Sequence, residues 1–180
     1  VLVEKAADIL EGASKGNSAL LHTGFDEPAG SLELQLIKSG YALYRRMHQR
    51  LNLPFERTGA VVVAWDDAQV AKLPAIAAHA AANGVEASIL DAAALRRREP
   101  GLAADARGAV LIADEGIIDP WSAPLAYLRQ AMLHGARLVT GAEVLGLADD
   151  GQAWRLRTAR GEIAARLVVN AAGLFGDRVE

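Results

Sequence analysis

A chain of 180 residues, 52% of them hydrophobic, has enough apolar material to bury a substantial core as one domain or as two small intertwined ones. Nineteen basic and 22 acidic residues leave a net charge of -3, and no basic block exceeds Arg96-Arg97-Arg98, which argues against a nucleic-acid partner. Cysteine is absent, excluding disulfides, thiolate metal sites and thiol nucleophiles, and the four histidines, His22, His48, His79 and His134, show no paired metal-ligand spacing.

Leu36, Ile37, Tyr41, Tyr44, Met47 and Leu51 recur at intervals of three and four residues, predicting an amphipathic helix from Ser31, its N-cap, to about Leu51. The β-branched run from Gly59 to Trp65 reads as a strand, and Asp66 and Asp67 cap a helix reaching Asn83-Gly84, kinked or restarted at Pro74. Val85 to Leu90 is a second strand, Asp91 caps a short helix through Arg98, and Gly108 to Ala113 is a third strand. Asp119 or Ser122 opens a helix that ends at His134-Gly135, followed by strand candidates around Leu138 and Val144. Asp149-Asp150-Gly151 is a hairpin turn, Trp154 to Thr158 a half-exposed strand, and Leu167-Val168-Val169 has the composition of a buried strand.

This order predicts an α/β fold with an inserted α+β region, the insertion covering about residues 53 to 118. The chain opens on Val1-Leu2-Val3 and reads as one entered in mid-fold. No apolar run reaches the roughly 18 residues that span a bilayer, so no transmembrane segment is expected.

Three segments carry the chemistry. Val1-Leu2-Val3-Glu4 is an apolar strand ending in a carboxylate, the group that binds ribose hydroxyls in dinucleotide-binding folds. The small-residue run Gly12 to Gly24, containing Ser14, Asn17, Ser18 and His22, either lets backbone N–H groups approach a pyrophosphate or flavin ring or is a surface loop leading into a strand. Leu167 to Gly173 runs into Ala171-Ala172-Gly173, where minimal side chains permit contact with a flat cofactor or tight packing.

These segments, in this order and separation, resemble the FAD-dependent group that contains glycerol-3-phosphate dehydrogenases, L-2-hydroxyglutarate oxidases and D-amino-acid oxidases. Asp114-Glu115-Gly116-Ile117-Ile118-Asp119-Pro120 and His134-Gly135-Ala136 look like the glycerol-3-phosphate enzymes; Pro28-Ala29-Gly30-Ser31-Leu32 looks more like the L-2-hydroxyglutarate ones. The resemblance implies a partial FAD-binding Rossmann-like fold of the D-amino-acid oxidase type. Residues 1–52 and 119–180 would form a partial FAD-binding domain, and 53–118 a substrate-binding region. It further implies that Glu4 takes the adenosine ribose, that Ser14, Asn17 and Ser18 lie along the pyrophosphate and flavin, that the backbone at Val144 meets the adenine, and that Ala171, Ala172 and Gly173 touch the cofactor from the other side.

The family's glycine-rich turn would precede Val1, and without that N–H cradle this chain alone is expected to bind FAD weakly. Stoichiometric flavin absorbance surviving purification would contradict this.

The implied activity is oxidation of a small anionic secondary alcohol, with sn-glycerol 3-phosphate the first substrate considered and L-2-hydroxyglutarate, or another hydroxy or amino acid, the rival. His22 is the candidate base, with a structural hydrogen-bonding role beneath the ring as the other reading. Arg57 is the candidate clamp for an anionic substrate, or a structural cation. A non-catalytic ligand-binding or subunit-interaction module is the alternative from a different class. Expected partners are a small anionic substrate and a second copy or partner subunit, and the expected location is cytoplasmic, or peripheral to the inner membrane through a partner.

Overall fold

Ser31 has an extended backbone and its Oγ accepts the Leu34 N–H at 3.1 Å, so helix α1 (Leu32–Leu51) begins where the polar cap meets the apolar repeat. Glu33 sits in its first turn and Arg50 in its last, in favourable sense with the helix dipole, and Asn52 ends it in the left-handed conformation. The computed structural model describes residues 1–179. They group into two compact units, Ala19–Asp119 and a second made of Val1–Ser18 with the chain from Pro120 onward. By compactness α1 therefore belongs with residues 53–118.

The Ala19–Asp119 unit is built on an antiparallel sheet in which β6 (Gly108–Ile112) lies between β4 (Ala60–Ala64) and β5 (Ala87–Asp91). Its central strand alternates as a pleat requires. Val110 and Ile112, both fully buried, join Ala64, Leu73, Ala80 and Val85 on one face. Ala109 packs with Leu95 and Ala106 on the other. Helix α3 (Leu73–Ala82) covers the first face and α4 (Ala92–Arg98) the second.

The helix expected over residues 67–83 is two helices. A single turn, α2 (Asp67–Val70), is capped by Asp66, and α3 restarts with Pro74 in its first turn, where the missing N–H has no intrahelical partner to lose. Asp91 caps α4 through Ala94 N–H at 2.7 Å, and the Arg96-Arg97-Arg98 run closes it as an exposed terminus.

A second small sheet places β7 (Gly116–Ile118) between β2 (Leu20–Leu21) and β3 (Phe55–Glu56), both antiparallel to it. A Cβ on Gly116 would lie 2.5 Å from Phe55 Cε2 and 2.9 Å from the Glu56 carbonyl oxygen, so only glycine lets these strands close. Gly116→Ala should cost about 1–3 kcal/mol, read as a drop in the unfolding midpoint; an unchanged midpoint would mean that β3 moves aside freely.

In the other unit β1 (Leu2–Val3) runs parallel to β8 (Leu138–Val139), and α5 (Ser122–Leu133) precedes β8. A three-stranded antiparallel meander follows: β9 (Val144–Asp149), β10 (Trp154–Thr158) and β11 (Gly161–Ala165). In the β9–β10 turn Asp150 accepts from Gln152 and Ala153 N–H and from Arg155; these hydrogen bonds, the arginine's foremost, hold its carboxyl down at about 2.

The buried strand expected at Leu167-Val168-Val169 is not there. These residues lie outside any strand, with Leu167 78% and Val169 77% exposed. Apolar composition alone does not make a strand; a neighbour must take up its backbone hydrogen bonds, and among the described residues none pairs with this run.

Candidate functional site

His22 and Thr23 follow β2 directly, and Glu115 sits in the tight turn between β6 and β7. Pairing of β2 with β7 brings these segments, more than 90 residues apart in the chain, side by side. Glu115 is 1% exposed. Its Oε1 accepts both the Thr23 backbone N–H and the Thr23 hydroxyl, each at 2.7 Å. Its Oε2 lies 3.4 Å from His22 Nδ1, while the imidazole side chain remains 47% exposed.

The loop after Thr23 is stapled from the other direction. Asn83, at the C-cap of α3, donates its side-chain N–H to the carbonyls of Gly24 at 2.9 Å and Glu27 at 2.8 Å, and His79 Nε2 donates to the Glu27 carbonyl at 2.8 Å. Partial burial, then Glu33 and Asp26, push the Glu27 carboxyl above the usual range, with His22 acting in the opposite direction. Gly24 takes a left-handed φ of 83° beside Leu34, a combination that favours glycine.

Arg57, just after β3, is held rather than free: its guanidinium pairs with the Asp114 carboxylate and donates to the Ala113 carbonyl at 3.3 Å. It stays half-exposed all the same. Tyr41, on α1, donates its hydroxyl to the Asp114 carbonyl at 2.8 Å; burial, then the Asp114 charge, push that phenol up.

In the unit holding both chain ends, Glu4 lies at the carboxyl end of the parallel pair β1 and β8. Glu4 ends β1, its N–H bonding the Val139 carbonyl and its own carbonyl taking the Ala142 N–H at 2.9 Å, which sets the approach to Val144 beside it. The Glu4 carboxylate accepts the Ala6 N–H at 2.8 Å. Lys5 Nζ lies 3.7 Å from the centroid of the Phe175 ring, in the 3-10 turn that begins at Gly173, and Ala171, Ala172 and Gly173 are exposed. Ser14, Asn17 and Ser18 lie on an exposed loop, where Asn17 donates to the Ser14 carbonyl at 2.9 Å and Trp121 Nε1 to the Lys15 carbonyl at 3.2 Å.

The sequence reading missed Glu115, Thr23 and the Lys5–Phe175 contact. The local trace of Glu115 was its place in the segment Asp114 to Pro120, an acid just after the strand expected at Gly108 to Ala113. Among the described residues no group of His, Asp and Glu could hold a metal ion, and no helix is long and apolar enough to cross a membrane.

A parallel strand ending in a carboxylate, paired with a strand that a helix precedes, in a chain that also carries an antiparallel α+β region, is the partial FAD-binding Rossmann-like fold of the D-amino-acid oxidase type. The chain belongs to the FAD dependent oxidoreductase family, whose model matches residues 1–180. It is 30% identical over 179 residues to a glycerol 3-phosphate dehydrogenase of Caloramator mitchellensis, covering 99% of this chain and 37% of that protein. It is 29% identical to an L-2-hydroxyglutarate dehydrogenase of Indibacter alkaliphilus, covering 99% and 44%. The chain thus spans less than half the length of these relatives. Among solved structures, the L-alpha-glycerophosphate oxidase of Mycoplasma pneumoniae superimposes with a TM-score of 0.91 at 20% identity, over 98% of this chain and 48% of that one. Glycine oxidase from Geobacillus kaustophilus gives 0.90 at 23%, over 98% and 49%.

Proposed function

We propose that these residues are part of an FAD-dependent dehydrogenase that oxidises a small anionic secondary alcohol, with sn-glycerol 3-phosphate as the first substrate. The observation that carries this reading is the family match along residues 1–180. Similarity to glycerol 3-phosphate and L-2-hydroxyglutarate dehydrogenases supports a substrate with a hydroxyl beside an anionic group, with L-2-hydroxyglutarate or another hydroxy or amino acid as the rival.

The residues present suit the cofactor. An acceptor carboxylate at the carboxyl end of a parallel strand suits ribose hydroxyls, and the exposed small residues at 171–173 suit a flat ring system. In this reading Glu4 accepts from the ribose hydroxyls, the backbone at Val144 meets the adenine, and Ser14, Asn17 and Ser18 offer donors along the pyrophosphate and flavin. Ala171, Ala172 and Gly173 leave room on the other side. Residues 1–52 and 119–180 serve cofactor binding, and 53–118 serve the substrate.

When bound, FAD supplies the hydride acceptor. His22 takes the hydroxyl proton as the alcohol carbon becomes a carbonyl, a role suited to a half-exposed imidazole with one ring nitrogen turned to a carboxylate. Arg57 receives the anionic end of the substrate, with Asp114 fixing the guanidinium beforehand. Arg57→Ala should then raise KM about tenfold or more with little change in kcat, measured by steady-state kinetics; an unchanged KM would leave Arg57 a structural partner of Asp114.

The test is the visible spectrum of the protein expressed from the complete reading frame that encodes these residues, recorded without oxygen before and after adding sn-glycerol 3-phosphate or L-2-hydroxyglutarate. Bleaching of a flavin band by one of them supports the reading and chooses the substrate. A protein without flavin overturns it and favours a binding or subunit-interaction module.

A further inference from the structure

We propose that Glu115 is a positioning residue for His22: the buried carboxylate fixes the ring as the Nδ1–H tautomer and so leaves Nε2 as the atom that takes the proton. The role rests on His22 being the base.

Glu115 is the one ionisable residue among the buried polar side chains of the described structure, beside Thr23, Asn83 and Thr158. A carboxylate is kept in such a place only when donors converge on it. Thr23 supplies two of them, both to Oε1. The second oxygen is turned to His22 Nδ1 at 3.4 Å. An ionised carboxylate only accepts, so Nδ1 must carry hydrogen for the contact to be favourable, and a neutral imidazole with hydrogen on Nδ1 has its lone pair on Nε2. The ring is half-exposed while the carboxylate is sealed, so the protein takes one nitrogen and leaves the other for substrate.

The same placement favours proton transfer. As the ring takes the proton, its positive charge develops against a carboxylate shielded from water, where attraction is stronger than at the surface. Glu27, on the following loop, also interacts with His22, and Asp26 and Glu33 crowd it. Glu115 differs in being fixed by hydrogen bonds at both Thr23 donors. The two-residue pattern, histidine followed by threonine, places the base and the anchor of its orienting carboxylate on adjacent positions after β2.

The test uses the protein from the complete reading frame, labelled with 15N-histidine, with the His22 signals identified by their loss in His22→Gln. Long-range 15N–1H spectra of the parent should show His22 as the Nδ1–H tautomer. In Glu115→Gln that tautomer should lose its dominance, anaerobic flavin reduction by sn-glycerol 3-phosphate or L-2-hydroxyglutarate should slow roughly 10- to 1,000-fold, and the acid limb of the rate profile should move to lower pH by about one unit. Glu115→Asp, which keeps the charge, should recover part of the rate. A Glu115→Gln protein that is less stable but has the parent's tautomer and rate profile overturns the proposal. If flavin reduction is untouched in His22→Gln, the base reading itself fails; if it is slowed there but not in Glu115→Gln, only the role of Glu115 fails. Should no Glu115 variant fold, the parent spectrum decides, since an Nε2–H ring overturns the proposal.

Discussion

His22→Gln should slow anaerobic flavin reduction by about 10²- to 10⁴-fold, the usual worth of a positioned base, in the protein expressed from the complete reading frame. The substitution isolates proton transfer. A glutamine amide can still donate to Glu115 Oε2, so the buried carboxylate keeps a partner and the turn between β6 and β7 keeps its anchor at Thr23. The side chain is half-exposed, so little packing is lost and the unfolding midpoint should stay near that of the parent. What the amide lacks is a nitrogen with a basic lone pair to take the proton. Stopped-flow mixing with substrate at several pH values measures the effect directly. Reduction within about threefold of the parent would assign His22 the structural role beneath the ring that its contact with Glu115 also permits.

The elements legible in the sequence are those whose signals are local. Ser31, Asp66 and Asp91 each precede a helix and each accepts the N–H three residues on, as cap residues do. Asn83-Gly84 closes α3 with glycine in the left-handed region, and Asp149-Asp150-Gly151 turns the chain between β9 and β10. Of the strands that were missed, β11 lies just before the apolar run that was read as the strand, and β2, β3 and β7 are two or three residues long, too short for any alternation to show. They exist because β7 offers both edges to partners distant in sequence and because Gly116 lets Phe55 approach. The converse error is Leu167-Val168-Val169, where local composition was right for a strand and pairing, a tertiary property, decided otherwise.

The candidate site divides along the same line. Glu4, Val144 and Ala171 to Gly173 were picked singly from composition and resemblance; the Ala142 N–H bonds the Glu4 carbonyl at the end of β1, and Lys5 lies over the Phe175 ring. His22 was visible as an imidazole after a small-residue run. Its orienting carboxylate was not, because the contact between residues 23 and 115 depends on a sheet whose strands carry no sequence signature. Arg57 was visible as a lone cation near a strand, but its pairing with Asp114 was not.

The strand that leads to Glu115 is also where stability should be most sensitive. Ile112 is fully buried on the α3 side of the central strand β6, whereas Ile89, on the neighbouring strand β5 of the same sheet, is 50% exposed. Ile112→Ala should cost about 2–5 kcal/mol, from lost transfer energy and the cavity that the surrounding Ala64, Leu73, Ala80 and Val85 cannot fully fill. Against a total of about 5–15 kcal/mol for a typical domain, that is a large fraction. Ile89→Ala deletes the same atoms from a surface position and should cost under about 1 kcal/mol. Urea unfolding followed by far-ultraviolet circular dichroism compares the two in one experiment. Similar losses would mean that the edge strand β5 is packed as closely at Ile89 as the central strand β6 is at Ile112. A large gap would place the rigid base of the His22–Glu115 contact in this core, because Glu115 follows Ile112 by three residues and its N–H donates back to the Ile112 carbonyl at 3.4 Å. The cavity variant should then also loosen the carboxylate, so that Ile112→Ala loses the fixed His22 tautomer under conditions where the chain is still folded, while Ile89→Ala keeps it.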